Sequence, residues 1–175
     1  MKITFIIILF TLSSCGQVKN QNQEYEKLTN EGLELLKKNE FMYAIKKYKQ
    51  ALSIDSLKIE ANYGLGVTKT ALCYQTNQYC DEALKYLIKA RTISPNYRKT
   101  EYNIGVCYMT LEKYLEAINA LNKYIITNPS SGDAYFNRGY ASLMLEKKIK
   151  ACKDFKKAIK FGNVISNDIL NSACN

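Results

Sequence analysis

The stretch NIGVCYMTLEKYLEAINALNKYIITNPS, residues 103–130, returns 34 residues later as NRGYASLMLEKKIKACKDFKKAIKFGNV, residues 137–164. Few side chains are shared, yet the small ones keep their places: Gly105 answers Gly139, and Ala117 answers Ala151. Upstream the glycine recurs at Gly32 and Gly66, giving intervals of 34, 39 and 34, and the alanine at Ala44 and Ala83, giving 39, 34 and 34. The two series agree on one insertion of five residues between Gly66 and Ala83 and a period of 34 everywhere else. Pro95 and Pro129, also 34 apart, close successive units. A period of this length marks supersecondary units that bury their apolar faces against one another.

Composition agrees. The 175 residues are 47% hydrophobic and 23% charged, enough apolar surface for a continuous core. Two prolines and eight glycines leave room for long helices and argue against a turn-rich β architecture. The chain has no histidine, which excludes Ser-His-Asp and Cys-His catalysis and imidazole-ligated zinc. The net charge is +9.

The period and its small residues resemble the tetratricopeptide repeat, a helix-turn-helix unit. That resemblance implies an all-α fold, a right-handed α-solenoid of four helical hairpins. The units are 25–58, 59–97 with the five-residue insertion, 98–131 and 132–165, with a capping helix over 166–174 begun by Ser166 or Asn167. Glycine at the eighth place and alanine at the twentieth let the two helices of a unit approach closely. The fourth place departs from the family's aromatic preference at Leu28, Asn62 and Glu101, and only Tyr135 keeps it.

The N-terminus reads as an address. A short basic start at Lys2, a charge-free apolar run from Ile3 to Leu12, and Leu12-Ser13-Ser14-Cys15 resemble a bacterial lipoprotein leader with its lipobox. The resemblance implies a signal peptide over 1–14 and acylation, palmitate included, at Cys15. It implies anchoring in the bacterial cell envelope, with the outer membrane facing the periplasm favoured. Loss of the leader removes Lys2 and lowers the charge by one. Residues 15–24, lipidated cysteine and polar segment, read as a flexible tether.

Export makes disulfides admissible. Cys152 precedes Gly162 by ten residues and Cys174 follows it by twelve, so two antiparallel helices turning near Gly162 bring them level. Cys73 and Cys80 bracket the insertion and predict a second bond that clips an otherwise loose turn. Cys107, at a core place of its unit, is expected as a buried thiol.

In tetratricopeptide arrays the first helix of each unit lines a concave surface. Carried to this chain, the resemblance names Tyr63, Val67, Tyr102, Val106, Met109, Phe136 and Tyr140 as an apolar, aromatic partner groove. The lysine and asparagine of carboxylate-gripping repeats are missing from the fifth and ninth places, so a C-terminal carboxylate clamp is not expected. From Glu146 to Lys160 seven lysines stand against Glu146 and Asp154, which reads as a solvated helix face. No RNA-binding or arginine-rich motif accompanies it. The expectation is a membrane-anchored scaffold or adaptor for a protein or peptide partner in envelope assembly or secretion. It is not an enzyme and has no cofactor, metal, nucleic-acid or small-molecule substrate. The oligomeric state is left open. The alternatives are a self-associating structural lipoprotein and a thiol-dependent enzyme.

Overall fold

The computed structural model describes the backbone over residues 3–175 and the side chains from Gln17 onward. Of the leader assigned to 1–14 only the backbone from Ile3 is described; its side chains and the acylation assigned to Cys15 lie outside the described residues. Every regular element described is an α-helix, as expected: α1 (Ile3–Lys37), α2 (Phe41–Ile54), α3 (Ile59–Thr76), α4 (Cys80–Ile93), α5 (Thr100–Thr110), α6 (Tyr114–Thr127), α7 (Gly132–Met144), α8 (Lys148–Lys160) and α9 (Asn167–Cys174). None of the described helices is long and apolar enough to cross a membrane. The chain divides into two compact units, Met1–Leu65 and Gly66–Asn175, and the division falls inside α3.

In the first unit α1 packs along α2. Tyr48 of α2 shows why glycine recurs: its ring fills the space beside Gly32, where a Cβ would come within 2.9 Å, and beside Gly64, where it would come closer still. The buried Tyr25 phenol accepts the Ala61 amide at 3.1 Å and so ties α1 to the start of α3. The polar segment before Tyr25 is helix, not the tether its composition predicts. Past Gly16 its Gln, Asn, Glu and Lys residues include no proline or glycine, so the helix nucleated by the packed residues beyond Tyr25 propagates through them. Lys58 Nζ fastens this extension by donating to Asn22 Oδ1 at 2.7 Å, while lying 4.4 Å from the Tyr25 ring centre.

The second unit repeats the same packing. A Cβ on Gly66 would meet Leu87 at 2.7 Å, one on Gly105 Leu121 at 2.8 Å, and one on Gly139 Phe155 at 2.8 Å. The turn from α5 to α6 is closed by Glu112 at φ +57°. Its amide donates to Met109 O at 3.0 Å and the Lys113 amide to Tyr108 O at 2.8 Å, the paired bonds of a Schellman end. Glu146 closes α7 in the same way at φ +59°, and Gly162 closes α8 at φ +86°. The five extra residues do not enlarge a turn. They lengthen α3, which runs 18 residues against 11 in α5, and only 77–79 separate it from α4.

Both expected disulfides are present, Cys73–Cys80 with Cα atoms 4.9 Å apart and Cys152–Cys174 at 5.0 Å. The second joins α8 to α9, whose Ala173 is buried with Ala151 and Phe155. Ser166 caps α9 by accepting the Ile169 amide at 3.4 Å. The two polar fourth places are partly satisfied locally: Asn62 Nδ2 donates to Ser56 O and Lys58 O, and Glu101 meets Arg91 at 3.6 Å, while Asn62 Oδ1 and Glu101 Oε2 are buried without a hydrogen-bond partner.

Candidate partner-binding site

With Gly105 and Gly139 turned toward α6 and α8, the adjoining stripes of α5 and α7 are left to line a hollow. Tyr102, Val106 and Met109 follow one another at i, i+4 and i+7, and Phe136 and Tyr140 at i, i+4, the spacing of a single helix face. They line a cavity of about 770 Å³ in the second unit, completed by the later part of α3 through Thr70, Ala71 and Tyr74. Five of the seven predicted groove residues thus come together. Tyr63 belongs to the first unit and Val67, half-buried on α3, is not in the lining.

The lining is less apolar than expected. Asn77, Asn103 and Asn137 interleave with the rings, Tyr74 and Tyr114 add two more phenols, and Glu112 is the one ionisable carboxylate lining the cavity. Asn103 and Asn137 lie 34 residues apart, one step beyond Tyr102 and Phe136, so the repeat spacing carried their signal. Reading groove places as apolar positions alone passed over them.

The rings are held from behind. Tyr102 lies 5.5 Å from Tyr124 between ring centres, and Phe136 lies 5.8 Å from Phe155 and 6.5 Å from Tyr140. Asn137 Nδ2 donates to the Tyr102 phenol oxygen at 3.1 Å. Burial, and after it the charge of Asp133, push the Tyr102 phenol above its ordinary value against that hydrogen bond. The phenol therefore stays neutral at physiological pH, able both to donate and to accept. Thr70 and Thr110 hydroxyls bond back to Gly66 O and Val106 O, which leaves their methyl groups for contact. Such a surface has rigid aromatic area and directional amides, and no lysine or arginine among the residues that line it. It suits the backbone and side chains of an uncharged or apolar peptide.

Among the described residues no thiol has a reactive geometry. Four are consumed in the two disulfides, and Cys107 is buried beside Thr70 Oγ1 at 3.3 Å. Burial pushes its thiol up to about 11, far from a thiolate at neutral pH.

Residues 102–130 and 132–161 match the family model described as Tetratricopeptide repeat. No curated protein matches the chain in sequence. Among solved structures, MamA 41-end from Desulfovibrio magneticus RS-1 superposes with a TM-score of 0.71 at 19% identity, over 79% of this chain and 76% of that one. Two more crystal structures of MamA superpose at 0.72 and 0.70, with 25% and 24% identity. They cover 83% and 80% of this chain and 82% and 74% of theirs. Repeat spacing, helix pairing and these likenesses agree: residues 102–161 carry two tetratricopeptide repeats, and the chain has the fold of a tetratricopeptide array.

Proposed function

We propose that this protein is a non-enzymatic scaffold that holds a peptide or helix of a partner protein in the cavity between the later part of α3, α5 and α7. The observation that carries the reading is the convergence of Tyr102, Val106, Met109, Phe136 and Tyr140, from two successive repeats, on one hollow of about 770 Å³. A hollow of that size takes several side chains of a bound segment. Acylation at Cys15 and residence in a bacterial envelope complete the proposal. They rest on the leader sequence alone.

The test separates the two parts. Val106→Lys and Tyr140→Ala, at half-buried positions, are expected to abolish cross-linking to the partner from envelope extracts while helical circular dichroism is unchanged. Undiminished cross-linking would remove the cavity as the site. Labelled palmitate entering the wild-type chain but not Cys15→Ser is the expected result for the anchor, and equal labelling would reject it.

A further inference from the structure

We infer that the groove between α6 and α8 is a second, cationic docking site, and that its occupant is an acidic, partly apolar peptide segment of a partner protein. This groove belongs to the second unit, shares no lining residue with the 770 Å³ cavity, and stands whether or not that cavity binds a partner.

Its physical basis is a set of charges that the fold leaves unanswered. Lys147, which precedes α8, and Lys150, Lys153 and Lys157 within it recur at helical spacing and line a hollow of about 450 Å³. Lys147, Lys150 and Lys153 enter no ion pair among the described residues, and Lys157 is held only against an aromatic face, 4.9 Å from the centre of Tyr135. Like charges three and four residues apart repel. The start of α8 adds to the cost, for it carries lysines and no acidic residue in its first turn, against the helix dipole. A purely solvated face would relieve this by interspersing acids, as Glu31–Lys47 and Glu34–Lys37 do in the first unit.

The one carboxylate in the groove is already engaged. Asp154 takes the Arg138 fork, Nε at 2.7 Å and Nη2 at 2.6 Å, while Nη1 donates to Asn122 at 2.7 Å. That partly buried pair forms a neutral floor, so the lysines above it have no internal counter-charge to turn to. Opposite them α6 presents Leu115, 55% exposed, and Ile118, beside the amides of Asn119 and Asn122. One wall therefore asks for carboxylates, and the other offers aliphatic surface flanked by amides. A recess with both demands fits a peptide that carries both, whereas the flat headgroup plane of a membrane cannot follow lysines down to a floor.

The probe is a fluorescein-labelled peptide of repeated Glu-Glu-Leu triplets, followed by anisotropy against the full chain. Binding is expected to weaken steeply with added salt and to fall roughly tenfold or more in Lys150→Glu/Lys153→Glu. Lys150→Gln/Lys153→Gln should give a smaller loss, and Val106→Lys no loss. A Gln-Gln-Leu peptide should not bind. Equal affinity of the charge-reversed variant with unchanged circular dichroism would overturn the proposal. So would equal binding of the Gln-Gln-Leu peptide. Binding to phosphatidylglycerol vesicles through the same lysines, with none to the peptide, would assign the groove to a membrane and overturn it too.

Discussion

The ammonium of Lys69, with only 2% of its side chain exposed, reaches Glu82 Oε2 at 2.7 Å across the α3–α4 hairpin. It also lies 4.7 Å from the centre of the Tyr79 ring, and Tyr79 is held at φ +68°, a conformation uncommon for a bulky residue. Charge, ring and the Cys73–Cys80 bond therefore lock one short turn together.

The ion pair is asymmetric, and so is the predicted response to cutting it. Glu82 is half exposed, so water screens it, and the pair's net stabilisation is modest. Removing only the carboxylate nonetheless leaves a buried ammonium with one partner fewer. Glu82→Gln should cost about 1–2 kcal/mol in urea unfolding. Lys69→Met, which removes the charge and keeps the stem, should cost less. A larger loss in Lys69→Met than in Glu82→Gln would show that the pair itself, not the avoidance of a lone charge, dominates.

Gly105 tests the packing rule behind the repeat. Alanine improves helix propensity by about 1 kcal/mol, but its Cβ would stand 2.8 Å from Leu121 Cγ, which is fully buried and cannot swing away. Overpacking of about 1–3 kcal/mol should win, and Gly105→Ala should lower the unfolding midpoint. The clash vanishes if Leu121 is also alanine, so the double variant should be more stable than the sum of the single losses. Strict additivity would reject the steric account.

These contacts explain which features were legible in the sequence. Close approach of two helices admits only a small residue at the crossing, whatever surrounds it, so Gly32, Gly66, Gly105 and Gly139 kept their spacing while their neighbours drifted. The turns were harder to read because Asn39, Glu112 and Glu146 take the left-handed conformation where glycine is the usual sign. The insertion between Gly66 and Ala83 was located, but its residues contain no breaker and continue α3 instead of forming a loop. In the cavity, Tyr102 and Phe136 were found by place in the repeat. Asn103 and Asn137 were not, because a groove read as apolar gives no role to an amide. The same place rule nominated Tyr63 and Val67, which do not line the cavity, because place in the repeat says nothing about how adjoining side chains close around a hollow.

The two disulfides should differ in what they hold. The Cys152–Cys174 bond closes 22 residues and the Cys73–Cys80 bond seven. Loop-closure entropy gives about 3 and about 2 kcal/mol respectively. Cys152→Ser/Cys174→Ser should also free α9 locally, since its eight residues are held otherwise by little more than Ala173, Ile169 and Leu170 against the α8 side. Hydrogen exchange followed by mass spectrometry should show protection over 167–174 lost in that variant and kept in Cys73→Ser/Cys80→Ser. Retained protection in the first variant would mean that packing alone suffices for the cap.

Cys107 links stability to alkaline pH. Its ordinary value is 9.0, and burial, opposed by the Thr70 hydroxyl, raises the folded thiol to about 11. Above pH 9 the unfolded chain releases this proton and the folded chain keeps it, so rising pH favours unfolding. The contribution is whole below pH 9 and drains away as pH climbs from 9 to about 11, on the order of 2 kcal/mol in all. Cys107→Ala should be less stable at pH 7, because it opens a small cavity, yet lose less stability than the wild type between pH 9 and 11. The same burial predicts that Cys107 ignores a thiol reagent at pH 7.5 until denaturant is added. A fast-reacting thiol in the native protein, traced to Cys107 by peptide mapping, would contradict both its burial and the pH dependence derived from it.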